Sequence, residues 1–189
     1  MKSGMKYSNV VQLHAGSLVF GLSILMLSSI YLWYLDLLSL FNACLWLIIP
    51  ALLIGFIYVC VERPRQLRER SKSDVSLVAL YIEYILMFAG LYAISSVISD
   101  GGAIANHAFI PNDLMTKEKF IPAKYFGQLI LVYIDAIYFS VSTATTVGFG
   151  DMHATNPIVK LIVILQVLSC LSVVVFGVGH YFKRDSKDT

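Results

Sequence analysis

The sequence predicts an all-α integral membrane protein with four transmembrane helices, and three observations indicate that class. First, 58% of its 189 residues are hydrophobic and 14% are charged, whereas soluble domains average about 45–50% apolar and about 25% charged residues. Second, four apolar runs are long enough to cross a bilayer, which takes about 20 residues. Third, a polar stretch with two glycines lies between the last two runs, and it adds a re-entrant helix and loop to the predicted fold.

The four predicted spans follow from the distribution of charged residues. The runs near 14–35 and 40–61 contain no charged residue. The run 75–99 contains one, Glu83, and the run 161–182 again contains none. The first run is too long for the apolar core of a signal peptide, about 7–15 residues, so cleavage is not expected.

Several function classes are excluded by composition. The three cysteines lie inside apolar runs, where buried and inert thiols are expected: Cys44, Cys60 and Cys170. Their spacing is not typical of a zinc site or a disulfide framework. The net charge is +2 and no basic stripe with interleaved aromatics occurs, so no nucleic-acid partner is expected. The sequence contains no recognisable nucleophile–base pair, metal cluster or phosphate loop, and an enzyme is not expected.

The basic residues predict the orientation in the membrane. They concentrate in the N-terminal tail, in the loop 62–74 and in the C-terminal tail. Because basic loops stay cytoplasmic, we expect both termini in the cytoplasm and residues 145–151 on the external side. The loop contains four arginines that either fix this topology or bind anionic lipid headgroups: Arg63, Arg65, Arg68 and Arg70.

Residues 145–151 read TTVGFGD, a polar stretch between apolar runs. Irregular backbone at membrane depth is tolerated only where it is buried in protein or lines a wet cavity. Just upstream, residues 135–145 predict a short helix with Asp135 as its N-cap. The apolar segment 137–144 is too short to cross the bilayer, so this helix would end near the membrane centre. Its partial negative charge would stabilise a cation there.

The two glycines of this stretch, Gly148 and Gly150, alternate with Val147 and Phe149. Since glycine tolerates positive φ, alternate residues can be left-handed, and successive carbonyls can then face one axis. The side chains of Val147 and Phe149 are expected to pack away from that axis, against the short helix. One chain offers too few oxygens to replace a hydration shell, whereas four chains give rings of carbonyls, the arrangement that holds dehydrated potassium. The hydroxyl of Thr146 would add the innermost ring.

The segment 137–151, IYFSVSTATTVGFGD, resembles the pore helix and selectivity filter of tetrameric potassium channels. The signature T-x-G-[YF]-G-D is matched by Thr146, Gly148, Phe149, Gly150 and Asp151. The resemblance covers roughly 75–189 and implies an outer helix, a turret over 99–130, a pore helix, a filter and an inner helix. It implies a homotetramer in the cell membrane, plasma or bacterial inner, that conducts K⁺ passively and needs no organic cofactor.

The resemblance also implies which residues bind the ion and which support the filter. The filter would comprise residues 146–150, with K⁺ held by Thr146, Val147, Gly148 and Phe149. The supporting residues would be Tyr138, Ser142, Thr145 and Asp151. Tyr138 and Phe139 replace tryptophans that the family often has, and the Tyr138 hydroxyl is expected to hydrogen-bond Asp151. Ser142 stands where some relatives have an acid, so we expect slow inactivation of the filter to be altered.

The inner helix departs from the family's pattern near its gate. Cys170 occupies the position of the hinge glycine in many relatives, and glycines follow only at Gly177 and Gly179. Any bend is therefore expected nearer the cytoplasmic end, although the two glycines alternatively allow close helix packing. Three apolar residues either face the cavity, where they would close the pore by dewetting, or contact neighbouring helices: Leu171, Val174 and Val178.

Histidines lie at both mouths of the predicted pore. His153 follows Asp151 on the external side, and His180 lies near the cytoplasmic end of the inner helix. Because histidine titrates near a pH of about 6.5, one or both predict a proton-sensitive current, the alternative being an ordinary surface role. Glu83, an acid within a span, is either functional, protonated or hydrogen-bonded to a hydroxyl.

Two regions are predicted along the chain. Residues 1–74 form an N-terminal transmembrane hairpin with a basic cytoplasmic loop, and residues 75–189 form the pore domain. The hairpin lacks an arginine at every third position, so it is not a voltage sensor of the usual kind, and we expect it to pack peripherally on the pore domain. Two alternative functions stay open: a weakly selective cation channel, and a non-conducting or regulatory channel subunit.

Overall fold

A computed structural model describes residues 15–28, 75–99, 102–111 and 120–185, with side chains for 17–28, 78–99, 102–111 and 120–175. These residues form four helices and one pair of short strands: α1 (Ala15–Ser28), α2 (Val75–Ile98), β1 (Ile104–Ala105), α3 (Pro122–Ala144), β2 (His153–Ala154) and α4 (Pro157–Asp185). The predicted span near 40–61, the four arginines of the loop 62–74, Cys44 and Cys60 lie outside the described residues.

Three of the described helices contain segments that are long and apolar enough to cross a membrane: Val78–Ile98 in α2, Pro122–Ala144 in α3 and Pro157–Val175 in α4. A mostly helical chain with three such helices fits an all-α membrane protein. The third and fourth predicted spans are confirmed as helices. The helix α1 is described over 14 residues, which cover the first part of the span predicted near 14–35.

The helix α3 begins earlier than the sequence predicted. It has 23 residues and starts at Pro122, where a proline is well suited to the first helical turn. The predicted start at Asp135 is therefore wrong, and the second half of the predicted turret, 99–130, belongs largely to this helix. At 1.5 Å per residue α3 is about 35 Å long. The whole of α3 is long and apolar enough to cross a membrane, although the apolar segment 137–144 on which the prediction rested is too short by itself.

Asp135 lies in the middle of α3 and does not act as an N-cap. Its Oδ2 accepts a hydrogen bond of 2.7 Å from the backbone N–H of Ala108. Ala108 belongs to the connector that leads away from α2, residues 102–111. The carboxylate therefore fastens this connector to the side of α3 and has no role in starting the helix.

The helix α2 is the centre of the packing, and α1, α3 and α4 all contact it. Several of its side chains are completely buried: Met87, Phe88, Ala89, Tyr92 and Ala93. Because lipid tails are as apolar as leucine, van der Waals packing and interhelical hydrogen bonds hold such helices together in a bilayer. Both kinds of contact are present around α2.

The helix α1, which is the described part of the N-terminal region, packs against α2 and α3. Ser23 is fully buried, and its Oγ lies 3.0 Å from the hydroxyl of Tyr133 on α3. Tyr125 donates a 2.6 Å hydrogen bond to the carbonyl of Leu27. Gly90 permits this close approach of α1 to α2, because a Cβ at that position would lie 2.8 Å from the Ser23 Oγ.

The chain reverses direction twice between α3 and α4. Ala144, at the end of α3, contacts Tyr81 near the beginning of α2. The strand β2 pairs instead with β1, which follows the other end of α2. Tyr81 and Ile98 are separated by about 25 Å along the helix axis. Residues 145–152 therefore return along most of the length of α2 before α4 begins, which is the helix-and-return path that was predicted.

Candidate functional site

Residues 145–151 follow α3 directly, and alternate residues in this segment have a left-handed backbone. The φ angle is 56° at Thr146, 54° at Gly148 and 84° at Gly150, whereas Val147 and Phe149 have no positive φ. The alternation predicted for the two glycines is confirmed. Thr146 adds a third left-handed residue, and its backbone is strained because a β-branched side chain disfavours positive φ. Such alternation allows successive carbonyl groups to point to one side.

The end of α3 is closed by hydrogen bonds from the same chain. A helix leaves its last four carbonyls without partners inside the helix. Backbone N–H groups of the following residues bind three of them: Thr145 to Val141 at 3.0 Å, Thr146 to Thr143 at 3.1 Å and Val147 to Ser142 at 3.2 Å. The hydroxyl of Tyr81 donates to the fourth, the carbonyl of Ala144, at 2.6 Å. The backbone is therefore fixed at the point where it turns back.

The other end of the segment is held through Asp151. The hydroxyl of Tyr138 donates a 2.7 Å hydrogen bond to its Oδ2, so the predicted contact is present. The backbone N–H of Met152 binds Oδ1 at 2.9 Å, and the side-chain amide of Asn106 donates to the Asp151 carbonyl at 2.8 Å. The Tyr138 hydroxyl, as a donor to the carboxylate, lowers the pKa of Asp151 below its ordinary value. These contacts are exposed to solvent in the single chain.

The connector 102–111 braces this end from the side. Strand β1 pairs antiparallel with β2, with Ile104 opposite Ala154. The buried His107 points its Nδ1 at the carbonyl of Ala108, 2.6 Å away, and at the Oγ of Ser96 on α2, 3.1 Å away. Burial lowers the pKa of His107, an effect that exceeds the opposing influence of Asp135. The connector is thus attached to α2, to α3 and to residue 151.

A buried polar network joins α2, α3 and α4 behind the segment. Gln166 of α4 is completely buried, and its Oε1 accepts a 2.7 Å hydrogen bond from the hydroxyl of Tyr92. Its Nε2 lies 2.9 Å from the carbonyl of Ser140 and 2.8 Å from the Ser140 Oγ. The Ser140 hydroxyl donates in turn to the carbonyl of Ile85 at 2.7 Å. Tyr92 also makes an apolar contact between α2 and α3, since its ring meets that of Phe139 edge-on at 4.8 Å.

The remaining predicted supporting residues lie around the end of α3. The side chain of Thr145 binds back to the carbonyl of Val141 at 2.8 Å, and Ser142 is buried. The ring of Phe149 stacks on that of Tyr138, with centroids 6.0 Å apart, so its predicted packing against the helix is present. Val147 is 56% exposed in the single chain, and its predicted packing against the helix stays a prediction.

Two of the predicted gate residues, Leu171 and Val174, lie on a face of α4 turned away from the rest of the described chain. Leu171 and Val174 are exposed, whereas Cys170 and Val173 are buried. The exposed face continues toward the start of α4 through Ile158, Leu161, Ile164, Leu165 and Leu168. Gly177, Val178, Gly179 and His180 lie within the helical backbone of α4, and their side chains lie outside the described residues. His153 is an exposed residue of β2, and Glu83 is buried on α2.

Three residues of this site were missed in the sequence, although each has a signal. Gln166 is the only amide in the run 161–182, and a polar side chain in an apolar helix normally finds a partner. Tyr81 offers a hydroxyl within an apolar span. Asn106 has a φ of 59°, a conformation that asparagine adopts more readily than most residues. None of these signals identifies the partner.

Comparison with known proteins shows similarity to channels. Residues 118–184, which contain α3, residues 145–151 and almost all of α4, match a family model described as "Ion channel". The chain is 40% identical over 53 residues to potassium channel AKT2/3 of Arabidopsis thaliana, which is 28% of this chain and 7% of that protein. It is 40% identical over 48 residues to potassium channel KAT1 of Oryza sativa subsp. japonica, covering 25% of this chain and 7% of that protein.

A third relative, potassium channel AKT2 of the same rice, is 35% identical over 60 residues, covering 32% of this chain and 7% of that protein. The chain thus spans only a small part of the length of the relatives it matches. No solved structure matches this chain. The similarities, together with the apolar helices, support an ion channel of the potassium-channel type.

Proposed function

We propose that four copies of this chain assemble around a common axis into a potassium-selective channel, and that residues 146–150 are its selectivity filter. The observation that carries the proposal is the alternation of left-handed Thr146, Gly148 and Gly150 with Val147 and Phe149. It occurs on a returning segment inside the region that is similar to ion channels. Few other functions require a backbone of this kind.

The chemistry of the filter follows from its carbonyl groups. With four chains, the carbonyls of Thr146, Val147, Gly148 and Phe149 would replace the water around K⁺, with the Thr146 hydroxyl as the innermost ligand. The carbonyl end of α3, which carries about half a negative charge, would favour a cation next to it. K⁺ is the permeant ion here, and no organic cofactor takes part.

The proposed architecture follows the two predicted regions. Residues 75–189 form the pore domain, with α2 as outer helix, α3 as pore helix and α4 as inner helix, and residues 1–74 form the peripheral hairpin. The protein lies in the cell membrane with both termini in the cytoplasm. The four arginines of the loop 62–74 fix that orientation and attract anionic lipid.

The gate is proposed on the exposed face of α4. Leu171 and Val174, together with Val178, would face the cavity and close it by dewetting. Their exposure in the single chain supports this assignment for the first two. Gly177 and Gly179 would allow the bend below them, and His153 and His180 would make the current sensitive to protons.

The decisive experiment measures ion flux through the purified full chain in liposomes, loaded with K⁺ or with Na⁺ and blocked with Ba²⁺. A K⁺ flux that Ba²⁺ stops, with a reversal potential that follows K⁺ in mixed K⁺/Na⁺ solutions, supports the proposal. A reversal potential that follows both ions equally would assign a weakly selective cation channel. Absence of any flux from a fourfold assembly would assign a non-conducting subunit.

Two glycine substitutions test the filter itself. Neither Gly148 nor Gly127 has an atom within 4 Å of an added Cβ, and only Gly148 has a positive φ. Gly148→Ala should abolish K⁺ flux because alanine strains the left-handed backbone, by about 1–2 kcal/mol per subunit. Gly127→Ala, in α3, should conduct as the unaltered protein does. Equal conduction by both variants would contradict the proposed filter.

A further inference from the structure

Gln166 is the point at which α2, α3 and α4 are joined by hydrogen bonds. Its amide oxygen receives the Tyr92 hydroxyl at 2.7 Å, and its amide nitrogen reaches both oxygens of Ser140, at 2.9 Å and 2.8 Å. All polar atoms of the Gln166 side chain are therefore engaged. The Ser140 hydroxyl donates onward to Ile85 at 2.7 Å, so the chain of bonds ends on the backbone of α2.

The direction of these bonds fixes the orientation of the amide. The Ser140 carbonyl and the Ile85 carbonyl can only accept. The Ser140 hydroxyl uses its hydrogen for Ile85, so its oxygen is free to accept from Gln166 but not to donate to it. A flipped amide would set its oxygen against the Ser140 carbonyl, with repulsion between two acceptors. The network consequently has one favourable arrangement, and it constrains the position of α4 relative to α3.

The network lies near the end of α3 that leads into residues 145–151. Ser140 is one helical turn before Ala144, where the backbone bends into residues 145–151. Gln166 precedes Cys170 and Leu171 on α4 by about one turn. Gln166 and Ser140 are completely buried. A movement of the part of α4 that follows Gln166 would therefore reach the end of α3 through these two side chains. A buried network of this kind is costly to break because an unpaired polar group is left in an apolar surrounding.

We propose that Gln166 is a positioning residue that couples the inner helix α4 to the filter-bearing end of α3. With its hydrogen bonds intact the filter stays in its conducting form; when they are lost, the end of α3 is released and the filter inactivates while the helix α4 is still open. The proposal rests on the proposed function of residues 146–150 as a potassium filter.

The test compares the full chain in liposomes with Gln166→Met, Tyr92→Phe and the double variant. Methionine fills a similar volume without hydrogen bonds, and phenylalanine keeps the ring that packs on Phe139. Each single variant should speed the decay of the K⁺ current about fivefold, the effect of losing about one net hydrogen bond. The double variant should add little to either, since both remove the same network.

A control variant removes a serine hydroxyl that serves only its own helix. Ser172 of α4 is exposed, and its Oγ donates to the Leu168 carbonyl at 2.7 Å. Ser172→Ala should leave the decay unchanged. All variants are first compared for fourfold assembly and for thermal unfolding, so that a loss of current from misfolding is recognised.

Gln166→Glu supplies a signature that a merely structural role would not give. The protonated acid retains one acceptor for the Tyr92 hydroxyl and one donor for Ser140, whereas the ionised acid faces the Ser140 carbonyl with a second acceptor. Because burial favours the protonated acid, lowering the pH from about 9 should slow the current decay of this variant toward that of the unaltered protein. The same pH series on Gln166→Met should show no such recovery.

The outcomes separate the two proposals. If the unaltered chain carries no K⁺ flux, the proposed function fails first. If the unaltered chain conducts, but Gln166→Met and Tyr92→Phe decay at its rate, or Gln166→Glu shows no dependence on pH beyond that of Gln166→Met, the coupling role of Gln166 is wrong while the filter assignment stands. Additive effects in the double variant would likewise contradict a shared network.

Discussion

The two ends of residues 145–151 are held by different kinds of contact. At the helix end, where α3 stops, the Tyr81 hydroxyl of α2 binds the last carbonyl. One turn earlier, Ser140 is bound by Gln166 of α4, and both of these side chains are completely buried. At the strand end, around Asp151, the partners are Tyr138 and Asn106, and both hydrogen bonds are exposed. One end is fastened inside the helix packing, and the other is fastened at the surface.

This difference predicts where the segment changes shape first. A buried polar group that loses its partner costs about 1–3 kcal/mol, whereas an exposed one finds water instead. The helix end should therefore contribute most to stability, whereas loss of the exposed contacts at the strand end should alter the current with little loss of stability. The substitutions below separate the two ends.

The largest effect is expected at Ser140, which binds both Gln166 and the Ile85 carbonyl. Ser140→Ala should lower the free energy of unfolding by about 1–2 kcal/mol, since it leaves one amide hydrogen of Gln166 without a partner and removes the side-chain bond to the Ile85 carbonyl. Thermal unfolding of the purified protein measures this. The control is Ser95→Ala, because the Ser95 hydroxyl binds only within its own helix, to Leu91. Equal shifts for the two variants would contradict a special role for the network.

A smaller loss of stability is expected at Tyr81, whose hydroxyl caps the Ala144 carbonyl. Tyr81→Phe should lower the free energy of unfolding by about 1 kcal/mol. It should also reduce K⁺ flux, because the Ala144 carbonyl at the bend into the proposed filter loses the Tyr81 hydrogen bond. Unfolding and flux are measured on the same sample. Unchanged flux together with lowered stability would limit Tyr81 to a structural role.

A pH-dependent effect on stability is expected at His107, a buried residue of the connector 102–111 that braces the strand end. Its neighbours are Ser96 on α2, Asp135 on α3 and the carbonyl of Ala108. Burial lowers the pKa of His107 in the folded chain, whereas in the unfolded chain the pKa has its ordinary value of about 6.5. Just below that pH the unfolded chain therefore binds a proton at His107 that the folded chain does not. Stability should fall as the pH drops below about 6.5 toward the lowered folded value, since the unfolded state then binds more protons.

His107→Asn removes the titrating group and keeps an N–H donor near the Ala108 carbonyl. The slope of the unfolding temperature between pH 7.5 and pH 5 should be shallower in this variant. A slope identical to that of the unaltered protein would exclude His107 as its source.

The smallest effect on stability is expected at Tyr138, at the exposed strand end. Tyr138→Phe should leave the unfolding temperature near neutral pH almost unchanged but should alter the decay of the current, because Asp151 loses one of its donors. The lowered pKa of Asp151 contributes stability above its ordinary value of about 3.9, and this contribution is lost as the pH falls through the lower folded value. The variant should lack that acid sensitivity. A current decay identical to that of the unaltered protein would count against the brace.

The comparison also indicates which parts were predictable from the sequence. At the strand end, the contact of Tyr138 with Asp151 was predictable because Tyr138 stands where similar pore helices often have a tryptophan. The left-handed glycines follow from their own conformational freedom. Long-range partners were not predictable, since nothing in the apolar pattern pairs Gln166 with Tyr92 or Tyr81 with Ala144. Such pairs depend on how the helices rotate against each other.

The length of α3 was mistaken for a related reason. Asp135 is predicted as an N-cap because its carboxylate can accept unpaired N–H groups of a first helical turn. The helix instead begins at Pro122 and buries residues at helical spacing, such as Tyr125, Leu129 and Val132. That helical spacing and a proline in the first turn are the sequence signals that mark the start of α3. The partner of the Asp135 carboxylate, the N–H of Ala108, could not have been deduced from the chain alone.

The closure of the α3 terminus has a consequence for biogenesis. Because its last carbonyls find all their donors in the same chain, a newly made subunit can bend at Thr145 before it meets another copy. Contact with another copy would then bury exposed apolar side chains such as Val147, and it would not need to supply any hydrogen bond to the bend. In the proposed tetramer, assembly would then be the docking of ready-made parts, and its rate would depend on the density of subunits in the bilayer.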